Sequence, residues 1–185
     1  MGKLTGFNVA LAGLSQGKHS MEFHLSKQFF VDMESSDIQD ANLDARLEID
    51  FSHGVYALSF DIAGTVTLTC DRCLGPLQWP VDTVYSLTVK YGDERDDSAD
   101  GVLVLPQSEP SLDIAPILYE TVELEIPLKH VHDEGACDSA MTDMLERHSA
   151  ALPDGDGPVD PRWNELKKLT DNNETYITAN NNGTS

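Results

Sequence analysis

Leu43, Ala45, Leu47, Ile49 and Phe51 alternate with Asp44, Arg46, Glu48 and Asp50. A period of two sends the apolar side chains to one face and the charges to the other, which a half-buried β-strand can use and a helix cannot. Further long strands are read over residues 55–68, with a bend at Gly64, and over residues 81–91. Ser52-His53-Gly54 supplies the turn between the first two. Parallel neighbours need a long crossover, so three long strands with short connections predict an antiparallel meander. Its expected core is Leu47, Ile49, Leu58, Phe60, Leu68, Tyr85 and Leu87. With short helices beside the strands, the fold class is α+β: an antiparallel β-meander of long strands flanked by short helices.

The flanking segments are less regular. Residues 7–14 read as a strand or extended arm, residues 17–20 as a turn and residues 21–25 as a short strand. Ser26 stands where it would cap a short helix over residues 27–33. The acidic, apolar-poor stretch 92–101 reads as a solvated loop, followed by a short strand at residues 102–105. A helix is expected from Asp113, as its N-cap, to about Val122, with Pro116 in its first turn and Pro127 as the stop. Met141, Met144 and Leu145 fit a short helix within residues 138–148. The chain therefore reads as one domain over residues 1–150, then a linker and short amphipathic helix over residues 151–170, then a polar, disordered tail over residues 171–185. That amphipathic helix would use Asp160 as N-cap, with Trp163, Leu166 and Leu169 on one face.

Hydrophobic residues make up 40% of the chain, enough for a core, yet no run approaches the length of a membrane span. Residues 1–8 lack the apolar segment of a signal peptide. A soluble, cytoplasmic protein is expected, and the odd number of cysteines argues against a secreted disulfide framework. The net charge of −20 repels phosphate backbones, so extensive direct nucleic-acid binding is disfavoured, whereas a basic protein partner would be attracted.

Cys70 and Cys73 follow the alternation of Val66 and Leu68, and Gly75-Pro76 breaks the chain after them. Both thiols thus sit on a knuckle between two strands, where they could grip one metal ion. The same spacing serves redox pairs and plain structural turns. A structural zinc site wants four ligands. His132 and Cys137, separated by four residues, complete a Cys70, Cys73, His132, Cys137 set, with His130 as a spare. The competing reading makes Cys137 a small buried hydrophobe and the histidines loop residues. Redox chemistry wants a thiolate at a helix N-terminus, and Gly75-Pro76 starts none. No nucleophile elbow and no phosphate-binding glycine loop occurs. Glu120, Glu123 and Glu125 read as a solvated helix face.

The stretch Val66-Thr67-Leu68-Thr69-Cys70-Asp71-Arg72-Cys73-Leu74-Gly75-Pro76 resembles the signature of the YceD family, the large ribosomal RNA subunit accumulation proteins of bacteria and plastids. Asp113-Ile114-Ala115-Pro116-Ile117-Leu118-Tyr119-Glu120, leading into Leu124-Glu125-Ile126-Pro127-Leu128, is similar to the family's second block. Asp160-Pro161-Arg162-Trp163 with Leu166 and Leu169 is similar to its C-terminal segment, so the resemblance runs over residues 7–169. Many members carry a second Cys-x-x-Cys where this chain has His130, His132 and Cys137, which leaves room for a mixed His/Cys site in its place. The resemblance implies a role in large-subunit ribosomal RNA accumulation, hence ribosome biogenesis, and no enzymatic activity. The acidic charge fits a basic ribosomal or assembly protein as partner. The rival readings are a thiol-dependent redox protein using Cys70 and Cys73, and a zinc-stabilised adaptor unrelated to ribosomes.

Overall fold

The computed structural model describes residues 5–149, so the linker, amphipathic helix and tail expected beyond residue 150 lie outside the described residues. The chain divides into two compact units, Met1–Met144 and Leu145–Ser185; the sheet, the helices that cover it and all three cysteines belong to the first. In chain order the elements are β1 (Asn8–Val9), β2 (Gly17–Ser26), α1 (Lys27–Asp32), β3 (Asp40–Ser52), β4 (Val55–Thr69), β5 (Pro76–Gly92), β6 (Asp96–Ala99), β7 (Val102–Pro106), β8 (Leu112–Asp113), α2 (Ala115–Glu125) and α3 (Ser139–His148). Short 3-10 turns precede and follow β1, in place of the longer arm expected over residues 7–14.

The alternating segments form the centre of a six-stranded sheet of order β2-β3-β4-β5-β7-β6. His53 and Gly54 both take positive φ, 51° and 79°. That is the mirror-image turn whose twist matches two antiparallel strands, and it sets Ser52 opposite Val55. Gly64 does not interrupt β4. At φ 147° its backbone lies against β3, and a Cβ there would stand 2.3 Å from the Asn42 carbonyl oxygen. Only glycine allows the two strands to run on past each other.

The sheet is mixed, not a purely antiparallel meander. β2 through β5 pair antiparallel, but β5 and β7 run parallel, with Thr88 opposite Val102 and Gly92 opposite Pro106. The return between them is made by β6, which pairs antiparallel with the outer side of β7, so a returning strand replaces the long crossover. The acidic stretch read as a solvated loop therefore contains a strand, every residue of which is exposed. Residues 17–20, read as a turn, are the first part of β2, paired with residues 48–51 of β3. Ladder hydrogen bonds to a long neighbour outweigh the weak strand propensity of Gly17-Lys18.

One face of the sheet is packed and the other is open. Leu47, Ile49, Leu58, Phe60, Ile62 and Leu68 are almost fully buried, together with Phe30 of α1 and Leu118 and Val122 of α2. α1 packs on β2 and β3, and α2 on β5. Tyr85, expected in this core, is 36% exposed. Its ring lies against Phe60, centroids 6.2 Å apart. α2 leaves an open cavity of about 340 Å³ beside it, lined by Thr83, Ile117 and Leu124 among others, so the tyrosine is only half covered. Helix α2 begins one residue later than read: Ile114 is the N-cap by backbone, and the Asp113 carboxylate accepts the Ala115 N–H at 3.1 Å. Its end at Glu125 leaves Ile126 extended, the conformation Pro127 imposes on its predecessor.

Candidate metal centre

The inward phase of β4 continues past its end. Val66 and Leu68 are buried, and so is Cys70. The chain then turns through Asp71-Arg72-Cys73. The Leu74 N–H donates to the Cys70 carbonyl, and the Cys70 N–H to the Gly75 carbonyl, both at 2.9 Å. Leu74 accepts a left-handed φ of 60° to close the turn. Cys73 is thereby folded back under Cys70 and is also buried.

The second half of the site comes from the segment between α2 and α3. Asp71 holds that segment to the knuckle. Its backbone N–H donates to the His130 carbonyl at 2.9 Å, and its carboxylate accepts the His130 N–H at 2.8 Å. The His130 ring lies 3.5 Å from the same carboxylate and does not point at the thiols' cluster, so the spare histidine serves as part of the clasp. Two residues on, His132 Nδ1 stands 3.3 Å from Cys73 Sγ and 3.9 Å from Cys137 Sγ. Cys70 and Cys137 sulfurs are 3.9 Å apart. All four donor atoms lie within 4.8 Å of one another.

A tetrahedral zinc ion with bonds of roughly 2.3 Å to sulfur and 2.0–2.1 Å to nitrogen requires donor separations of about 3.8 Å between sulfurs and about 3.5 Å between sulfur and nitrogen. The Cys70–Cys137 sulfur pair at 3.9 Å and the His132–Cys73 and His132–Cys137 pairs at 3.3 and 3.9 Å lie within about 0.4 Å of those figures, and the whole set, within 4.8 Å, needs only a small contraction to close on an ion. The His132 tautomer is also set: Nε2 lies 3.1 Å from the Pro76 carbonyl oxygen, so Nε2 carries the proton and donates it there, leaving Nδ1 as the lone-pair donor facing the sulfurs. The four residues read from the sequence as a ligand set are thus brought together.

The acidities of the thiols suit a cation. Burial pushes Cys70 up, but the backbone N–H groups of Cys73, His132 and Arg72, with the Cys73 side chain, outweigh it and bring the thiol down to about 6. The backbone N–H groups of Asp138 and Gly75 lower Cys73. Cys137 is pushed up to about 11, first by burial and then by its two thiol neighbours. The Pro76 carbonyl raises His132. Three thiols crowded together cannot all ionise unaided, whereas a divalent ion at their centre stabilises all three as thiolates. Asp138 serves twice: its N–H faces Cys73, and its carboxylate caps the first turn of α3 through the Met141 N–H at 2.8 Å.

Sequence reasoning missed Asp71, the Pro76 carbonyl and Asp138. Only the last carries a sequence signal, as an aspartate preceding a helical pattern. Nothing in the chain's pattern links Asp71 to a backbone group 59 positions away.

A sequence model of the family described as large ribosomal RNA subunit accumulation protein YceD matches residues 58–170, more than half of the chain. The chain belongs to this family. The YceD match begins within β4 and takes in the knuckle and the His132–Cys137 segment, so both halves of the metal centre fall inside it. β2, β3 and the first residues of β4 precede it. No curated protein and no solved structure matches the chain significantly. Among the described residues no helix is long and apolar enough to cross a membrane.

Proposed function

We propose that this YceD-family protein is a non-enzymatic factor in the assembly of the large ribosomal subunit. It works in the cytoplasm through contact with a basic ribosomal or assembly protein, and one structural zinc ion fixes its cysteine knuckle. The family match over residues 58–170 carries the ribosomal part of this reading. The metal part rests on the donor set: four protein ligands close a tetrahedral site and leave no position for a substrate or an activated water, as structural zinc sites do and catalytic ones do not. Zinc supplies a fixed cross-link there; Cys70, Cys73, His132 and Cys137 hold it, while Asp71 and Pro76 orient the loops around it. The redox alternative fits less well, because Cys70 and Cys73 are both buried and neither opens a helix. The net charge of −20 favours a basic protein over bare RNA as the direct contact.

The test is the ratio of large- to small-subunit ribosomal RNA in cells lacking the gene, in normal growth and under cold stress. The expected result is a deficit of the large-subunit RNA, since an assembly intermediate that loses a binding partner is longer exposed to degradation. Unchanged ratios under both conditions would overturn the ribosomal reading and promote thiol chemistry in its place.

A further inference from the structure

The face of the sheet opposite the core carries no covering element among the described residues, and its side chains can be read off the register. Successive rows across β2, β3, β4 and β5 are Lys18-Asp50-Ala57-Thr88, Ser20-Glu48-Ser59-Ser86, Glu22-Arg46-Asp61-Val84 and His24-Asp44-Ala63-Asp82. Small residues, Ala57, Ser59 and Ala63, occupy most of β4, between the long side chains of β3 (Asp50, Glu48, Arg46 and Asp44) on one side and Thr88, Ser86, Val84 and Asp82 of β5 on the other. The result is a trough. It holds an open cavity of about 690 Å³ over the first two rows and one of about 500 Å³ over the next two. From Lys18 to His24 it is about 20 Å long, at roughly 3.3 Å per strand residue.

The charge on this face is net negative: Glu22, Asp44, Glu48, Asp50, Asp61 and Asp82 stand against Lys18 and Arg46. Arg46 pairs with Glu22 and His24 with Asp44. Glu48, Asp50, Asp61 and Asp82 have no ion-pair partner among the described residues. One-sided antiparallel sheets normally cover their wet face with long polar side chains of mixed sign. Here a floor of alanine and serine on β4, interrupted by Asp61, has Glu48 and Asp50 on its β3 side and Asp82 on its β5 side, none of them ion-paired among the described residues.

We propose that this trough is the docking surface for an extended, lysine- and arginine-rich segment of a partner protein. The small floor lets a backbone approach the sheet, and the rim places carboxylates where alternate basic side chains of an extended segment reach them. A nucleic acid is repelled by the same rim. The inference rests on the proposed function only for the expectation of a basic partner; neither the knuckle nor the metal takes part in it.

The experiment titrates the full chain, as purified, with a fluorescent peptide alternating lysine or arginine with alanine, at about 0.15 M salt. Two variants lose the same number of charges: E48Q/D50N/D61N/D82N on the trough, and D93N/E94Q/D97N/D100N on the acidic turn and β6. The expected result is binding that weakens about tenfold in the first variant, the loss fitting four exposed charge contacts, and little in the second. Equal losses would show that net charge, not the trough, attracts the peptide. No loss in either variant, no binding by the native chain, or tighter binding of a single-stranded RNA of equal charge would each overturn the proposal. Should the trough variant fail to fold, carbodiimide cross-linking of the native chain decides: amide links from peptide lysines must fall on Glu48, Asp50, Asp61 or Asp82, and links confined elsewhere overturn it. A ribosomal RNA deficit in cells lacking the gene, together with a native chain that ignores the peptide, would sink the docking face alone. Peptide binding with unchanged RNA ratios would sink the ribosomal reading alone.

Discussion

Replacing Asp71 by alanine should weaken zinc binding although Asp71 touches no ligand atom. The carboxylate accepts the His130 N–H at 2.8 Å, and His130 stands two residues before the His132 ligand. A hydrogen bond to a charged acceptor contributes about 1.5–3 kcal/mol. Asp71 is 43% exposed on its side chain, so water recovers part of that and the low end, about 1.5 kcal/mol, applies. Roughly 1.4 kcal/mol is tenfold in an equilibrium constant. The 127–138 segment therefore opens about tenfold more often, and zinc affinity falls by about that factor, within the range for partners that orient metal ligands. Asp71→Asn keeps an oxygen acceptor without the charge and should lose less. Competition against a chromophoric chelator reads the affinity, and a thermal melt checks that the sheet is intact. The reasoning is refuted if Asp71→Ala binds zinc as tightly as the native chain, or if Asn and Ala are equally damaging.

Leu47→Ala, at a fully buried position of β3, should cost about 2–5 kcal/mol in denaturant unfolding, whereas Tyr85→Leu should cost much less because α2 leaves that ring half covered. Gly64→Ala should destabilise more than a surface alanine in any other strand, since its Cβ would meet the Asn42 carbonyl and require a positive φ; a melt within a degree or so of native would contradict the close approach. In metal-free protein the Cys70 thiol, depressed from 9.0 to about 6, means the unfolded chain binds more protons in that window. Its contribution is fully present above about pH 9 and is lost as pH falls towards 6, so melting temperature should rise with pH across this span, and Cys70→Ser should flatten the rise.

The long strands were legible because each alternates over many residues, and the ligand set was legible because every cysteine of the chain falls in it and His132 stands close to Cys137. The misreadings have physical causes. β6 has no apolar residue larger than Ala99 and exists only because β7 offers it a ladder. The start of β2 is likewise dictated by β3. The parallel β5–β7 pair was hidden because a strand, β6, makes the return that a helix usually makes. Tyr85 has the right phase for the core, but its burial depends on how far α2 reaches, which no local pattern encodes. The clasp between Asp71 and His130 is a backbone contact, and backbone groups carry no sequence signature.

X-ray absorption at the zinc edge, on protein purified without chelator, tests the closed four-ligand centre most directly. The expected spectrum has three sulfur scatterers at about 2.3 Å and one nitrogen at about 2.0–2.1 Å, with about one zinc per chain. Two sulfurs with light-atom ligands, or no zinc at all, would contradict a site built from Cys70, Cys73, His132 and Cys137.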